Sequence, residues 1–287
     1  MSQSSATKQS KRAKRKKGGK RRNREPMAAR ADKYALYQEA VQDPGHEVEF
    51  FEKVYKQIFG RAPRVLREDF CGTFAICCEW AKRRNREAIG VDLDGEPLEW
   101  GRGHNLAPLS EKQQARVTIK QQDVRSRTSP KAHVLAAQNF SFWEFKRRPE
   151  LLDYFKHAHA NMDEAGIMVM DMMGGPECLE EDREDTRYLG NFTYVWEQAR
   201  FDPITHDATF HIHFRFKDGS ELTKAFTYNW RFWSIPEVRE LLEEAGFSQV
   251  HVYWEGTDED GEGDNNWKKA TWAHSEPAWI AYIVAVK

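Results

Sequence analysis

The stretch VLREDFCGTFAICCEWAKRRNREAIGVDL, residues 65–93, decides the fold. It opens on a strand pattern, RVLREDF, and turns sharply around Gly72. It then runs through a helix over Thr73–Arg84 and returns to a second strand, EAIGVDL. A strand, helix and strand of this length make a right-handed crossover between parallel neighbours. The alternation continues through a helix in GEPLEWGRGHNL, strands in RVTIKQQDV and AHVLAAQNF, a helix in PELLDYFKHAHANM and a fifth strand in GIMVMDMM. After Gly174 and Gly175 the pattern changes to three extended segments, FTYVWEQARF, ATFHIHFRF and ELTKAFTYNWRF, joined by DPITH and KDGS. These predict an antiparallel β insertion before the last helix. Ser234 then caps IPEVRELLEEAGF, with Pro236 in its first turn and Gly246 past its end. A strand in SQVHVYWEG, an acidic glycine-containing loop over 255–276 and a terminal strand in PAWIAYIVAVK complete the chain. Upstream, Tyr34, Tyr37 and Val41, then Val48, Phe51, Val54, Tyr55 and Phe59, fall at helical spacings that end at Gly60 and Pro63.

The expectation is an α/β fold, a mostly parallel seven-stranded sheet with helices on both faces plus that insertion. Its divisions are a disordered basic tail (1–27), a helical cap (28–60), a ligand-binding core (61–175), the insertion as a substrate lid (176–232) and the rest of the core (233–287). Residues 1–25 carry eleven Lys/Arg against one acid, so the formal net charge of −1 leaves about −11 on the remainder. The tail has too few apolar residues to offset its ordering entropy and is suited to phosphate contacts or plain solvation. No apolar run is long enough for a membrane span or resembles a signal segment. Cys71, Cys77, Cys78 and Cys178 fit neither a zinc pattern nor a disulfide framework. A cytoplasmic protein with free thiols and no metal is expected.

Open parallel sheets bind ligands at the carboxyl ends of their strands. The first such turn is Glu68-Asp69-Phe70-Cys71-Gly72-Thr73-Phe74, and Asp92 ends the second strand twenty residues past Gly72. A carboxylate there can accept from both hydroxyls of a ribose. The turn lacks G-x-G-x-x-G, which argues against a pyrophosphate and for a nucleoside without one.

At this point VLREDFCGTF resembles the first motif of the class I, Rossmann-like S-adenosylmethionine-dependent methyltransferases, with Phe70 and Phe74 standing where that family has glycines. GVDLD resembles the second motif, QQDV the third, LAAQNFSF the fourth, and NMDEAGIMVMDMM the following helix-turn-strand. The resemblance covers about residues 64–175 and 233–287. It implies S-adenosylmethionine as cofactor, held by Glu68, Phe70, Cys71, Gly72, Thr73, Asp92, Leu93, Asp123, Val124, Asn139, Phe140, Ser141 and, from the N-terminal helix, Tyr37. Cys71 reads as a packing residue.

A sulfonium methyl is already activated, so alignment and water exclusion are the main tasks. The residues after the fourth strand, Gln138 to Phe142, should face the methyl, and Asn139 is the candidate acceptor-positioning residue. Tyr194 and His211 are further catalytic candidates. Phe142, Trp196, His213, Tyr228 and Arg231 are candidates for binding the substrate. His211 and His213 share one strand face, without a third ligand at metal spacing. The expected function is methyl transfer to a small-molecule N, O or S nucleophile. The alternatives are a nucleic acid or nucleic-acid-associated protein as acceptor, reached through the tail, and an inactive cofactor-binding interaction protein.

Overall fold

The computed structural model describes residues 25–257 and 263–287. The chain begins with α1 (Lys33–Val41) and α2 (Pro44–Phe59). It continues through β1 (Val65–Asp69), α3 (Ala75–Lys82), β2 (Glu87–Asp92), α4 (Gly95–Gly101), the short α5 (Glu111–Gln114), β3 (Val117–Gln121), β4 (Ala132–Ala137), α6 (Arg148–Asn161) and β5 (Met162–Gly174). Four strands follow: β6 (Arg183–Tyr188), β7 (Phe192–Phe201), β8 (Asp207–Phe216) and β9 (Glu221–Arg231). The chain closes with α7 (Ile235–Glu244), β10 (Gln249–Thr257), β11 (Gly263–Ala270) and β12 (Trp279–Val286).

The large sheet has the order β11-β10-β12-β5-β4-β1-β2-β3. Strands β1 to β5 run parallel, and β12, β10 and β11 join antiparallel. The order reverses between β1 and β4, which opens a crevice at their carboxyl ends. Alternate residues along each strand serve opposite faces. Leu66, Val134, Ala136 and Val169 pack with α2 and α3, whereas Val91, Leu135, Ala137 and Met170 pack with α6 and α7. Helix α2 is thus part of a sheet-covering layer, and of the expected cap over 28–60 only α1 reaches the strand ends.

The sheet has eight strands rather than seven, because β11 pairs with β10 where a loop was expected. In GDNNWKKA only Trp267 is buried, so this edge strand rests on its ladder and carries no apolar alternation. The second sheet, β6-β7-β8-β9, is the expected antiparallel insertion with one strand more than predicted. Its extra member, REDTRY, is a charged edge strand facing solvent. Residues 1–24 of the expected tail lie outside the described residues. Met27 is anchored, its N–H donating to Asp218, and Ala28 N–H donates to Ser220 Oγ, both at the β8–β9 turn.

Candidate active site

After β1 the chain turns through Phe70, Gly72 and Phe74 with φ of 55°, 50° and 47°. Two phenylalanines therefore adopt the left-handed backbone that glycine takes without cost, at about 1–2 kcal/mol each. Packing and main-chain bonds hold them there. Cys71 N–H donates to Val91 O at 3.1 Å and Phe74 N–H to Cys71 O at 2.6 Å. The Phe74 ring lies so close to Gly101 that a Cβ there would meet it at 2.5 Å. Phe70 packs edge-on against Phe145 and Tyr154. The turn is tied to the end of β2: Gly72 N–H donates to Asp92 Oδ2 at 2.7 Å and Asp94 N–H to Asp92 Oδ1 at 2.9 Å.

The carboxylates around this turn are mostly engaged. Glu68 Oε2 accepts from Cys77 N–H at 2.9 Å, and burial pushes its pKa to about 7. Asp69 pairs with the fully buried Arg67 at 2.6 Å and accepts from Tyr154 OH at 3.1 Å, yet burial still raises its pKa. Arg67 spends its remaining donors on the loop after β3, at Val124 O, Ser126 O and Thr128 Oγ1. Asp123 pairs with Arg125, whose hydrogen bond draws its pKa down. Burial pushes the Cys71 thiol up, in keeping with a packing role.

Past β4, Asn139 and Phe140 are consecutive left-handed residues with φ of 58° and 55°. Asp171 at the end of β5 holds both, accepting their N–H groups at 3.0 Å each, and burial raises its carboxyl to about 6. Gln138 is 5% exposed; its Nε2 donates to Val169 O at 3.3 Å and its Oε1 has no partner.

These segments, α1 and the inner face of β9 enclose a cavity of about 580 Å³. Tyr37, Glu68, Phe70, Cys71, Gly72, Thr73, Asp92, Leu93, Asp123, Val124, Asn139 and Ser141 all line it, as does Tyr228. Helix α1 is latched to the turn by Gln38, whose Oε1 accepts from Thr73 Oγ1 at 2.9 Å and from Asn105 Nδ2 at 2.6 Å.

Other expectations are corrected. Phe140 does not line the cavity; its ring packs towards Trp143 and Trp230. Phe142 is fully buried beside Phe155 and Trp143. Tyr194 and Trp196 share the face of the second sheet that carries the cavity-lining residues of β9 but do not line the cavity themselves, Tyr194 lying against Phe214 and Trp196 stacked on Phe210. His211 and His213 are on the outer face of β8, since strand residues alternate and Phe210, Ile212 and Phe214 take the inner one. Thr227 Oγ1 bonds His211, while Glu197 and the Lys224 N–H engage both nitrogens of His213. Arg231 faces away too, bonded to Lys146 O and Glu237 and stacked over Trp233. Among the lining residues not expected from the sequence are Phe226 and Trp230, which with Tyr228 form the period-two inner stripe of β9, and Lys33, Gln42, Asp94, Arg125, Glu144 and Phe145. That stripe was available in the alternation of FTYNW.

Among the described residues no group of three His, Cys, Asp or Glu is placed to hold a metal, and no helix is long and apolar enough to cross a membrane.

Comparison of the architecture with solved structures is decisive for the fold. An S-adenosylmethionine-dependent methyltransferase from Clostridium acetobutylicum matches with a TM-score of 0.65 at 13% identity, over 88% of this chain and 96% of that one. DesVI of Streptomyces venezuelae matches at 0.64 and 18% identity, over 90% and 98%. The chain has the class I methyltransferase fold. CalS10, an amino pentose methyltransferase of Micromonospora echinaspora solved with S-adenosylmethionine bound, has the same fold at a TM-score of 0.62 and 14% identity, over 88% and 95%. No protein-family profile and no curated protein sequence matches the chain. The four-stranded sheet lies between β5 and α7 in the chain, and its β9 lines the cavity through Phe226, Tyr228 and Trp230.

Proposed function

We propose that this protein is an S-adenosylmethionine-dependent methyltransferase acting on a small organic acceptor. The carrying observation is the hydrogen bond that joins Asp92 to Gly72 on one cavity wall, an arrangement that supports ribose binding by this carboxylate beside the first turn. Asp92 keeps free lone pairs for two ribose hydroxyls. Leu93, two-thirds exposed, and Val124 would flank the adenine, and the turn from Phe70 to Thr73 would receive the amino-acid end. The cofactor supplies an electrophilic methyl, and the chain's residues align the acceptor and keep water out.

Several observations support a small acceptor. The cavity is roofed by α1 and β9, and its volume is in the range of small-molecule sites. Acids outnumber bases on its wall, six carboxylates against Lys33 and Arg125, which disfavours a polyanion. The structural neighbours include a sugar N-methyltransferase and a glycopeptide N-methyltransferase. Calorimetry with S-adenosylmethionine and S-adenosylhomocysteine tests the cofactor, and methyl-labelled donor with fractionated extract tests the acceptor. Label entering only nucleic acid would overturn the small-acceptor reading. Absence of any binding would overturn the function.

A further inference from the structure

The unpartnered carbonyl of Gln138 points to the atom that is methylated. The Val169 carbonyl can only accept, so it fixes the amide group of Gln138 with its NH₂ turned toward β5. Oε1 is left buried and without a donor, on a residue that lines the cavity. A buried acceptor in that state is costly unless a ligand satisfies it. Its place in the sheet gives the ligand part. Were adenosine held at the ends of β2 and β3, the rest of the cofactor would extend past β1 toward the end of β4, where Gln138 follows Ala137.

We propose, building on the methyltransferase reading, that the acceptor is an amine and that Gln138 Oε1 receives an N–H of its nucleophilic nitrogen. An alcohol would satisfy the same oxygen, but it needs a base to become a nucleophile. No histidine lines the cavity among the described residues. Five of the six carboxylates, Glu68, Asp69, Asp92, Asp94 and Asp123, are engaged by main-chain N–H groups or an arginine, and the sixth, Glu144, is exposed to solvent. An amine needs only to enter as its free base, its ammonium proton left with solvent water; its lone pair then faces the methyl while its N–H faces Gln138, and the methylated nitrogen gives its surplus proton to water on release. The opposite wall suits a nitrogen that becomes cationic once methylated. Tyr37 lies 5.0 Å from Phe226, and Tyr228 stacks on Trp230 at 4.3 Å, with all four rings lining the cavity.

The test uses sinefungin, in which an amine-bearing carbon replaces the methylated sulfur, against S-adenosylhomocysteine, which lacks that nitrogen. Calorimetry on the full chain should show sinefungin bound about tenfold more tightly. Gln138→Met should erase the preference while leaving S-adenosylhomocysteine affinity within about twofold. Equal affinity of the wild type for the two ligands, or a preference that survives in Gln138→Met, overturns the assignment. Failure of both to bind the wild type refutes the methyltransferase reading itself. With S-adenosylhomocysteine bound, cyclohexylamine should raise the melting temperature further and cyclohexanol should not. Equal shifts, or a shift with the alcohol alone, overturn the amine acceptor.

Discussion

Replacing Asp92 with asparagine separates what this residue does for the fold from what it does for a ligand. The carboxylate accepts Gly72 N–H at 2.7 Å and Asp94 N–H at 2.9 Å, one on each oxygen. Asparagine offers one oxygen, so its NH₂ must face one of the two donors. The side chain is only partly buried, which puts the loss of that charge-assisted bond near the lower end of its range, about 1–2 kcal/mol in the unliganded protein. Under the proposed function, two ribose hydroxyls would use the remaining lone pairs. One would meet the NH₂ and the other would exchange an ionic acceptor for a neutral one, together about 2–4 kcal/mol. The dissociation constant for S-adenosylmethionine should rise roughly 30-fold to several hundred-fold. Urea unfolding reads the first quantity and titration calorimetry the second. Reduced stability with unchanged affinity would mean that Asp92 only braces the turn, and the ribose assignment would fall.

Asp171→Ala strands the N–H groups of two left-handed residues, Asn139 and Phe140, so unfolding free energy should drop by about 2–5 kcal/mol, with methyl transfer falling more than cofactor affinity. Gln38→Ala unfastens α1 from Thr73 and Asn105, and stopped-flow tryptophan fluorescence should show S-adenosylhomocysteine leaving roughly 5–30 times faster. Burial raises Glu47 to about 8, with Asp171 adding to the rise and the Tyr282 hydroxyl opposing it. The folded chain then keeps a proton that the unfolded chain releases above the usual carboxylate range. Stability should therefore fall as pH climbs from about 5 to 8, by no more than about 1.4 kcal/mol per pH unit for this proton, and Glu47→Gln should flatten the slope in urea titrations.

The parallel half of the large sheet was legible because buried parallel strands are apolar on both faces, as in GIMVMDMM. The strands β6 and β11 were not, since REDTRY and GDNNWKKA are edge strands held by main-chain bonds with little apolar content. That Asp92, Gly72 and their neighbours meet in one cavity was readable because the carboxyl ends of parallel strands open onto a common crevice. The lid was harder. Histidines drew the eye to the outer face of β8, whereas the wall of the cavity is the Phe226, Tyr228 and Trp230 stripe of β9. Nothing in the residue types of Phe70 and Phe74 announced a left-handed turn, because the conformation is imposed by the surrounding packing. The unpartnered oxygen of Gln138 is a tertiary fact with no trace in the local pattern.

Arg67 has a consequence for how this site tolerates change. Its grip on the loop after β3 is largely through the carbonyls of Val124 and Ser126, which every amino acid possesses. The path of that loop is thus inherited from a residue on another strand. Side chains at 124 to 126 can be exchanged to retune contact with a purine ring, and the main chain will still be drawn to the same place as long as the guanidinium beneath it stays.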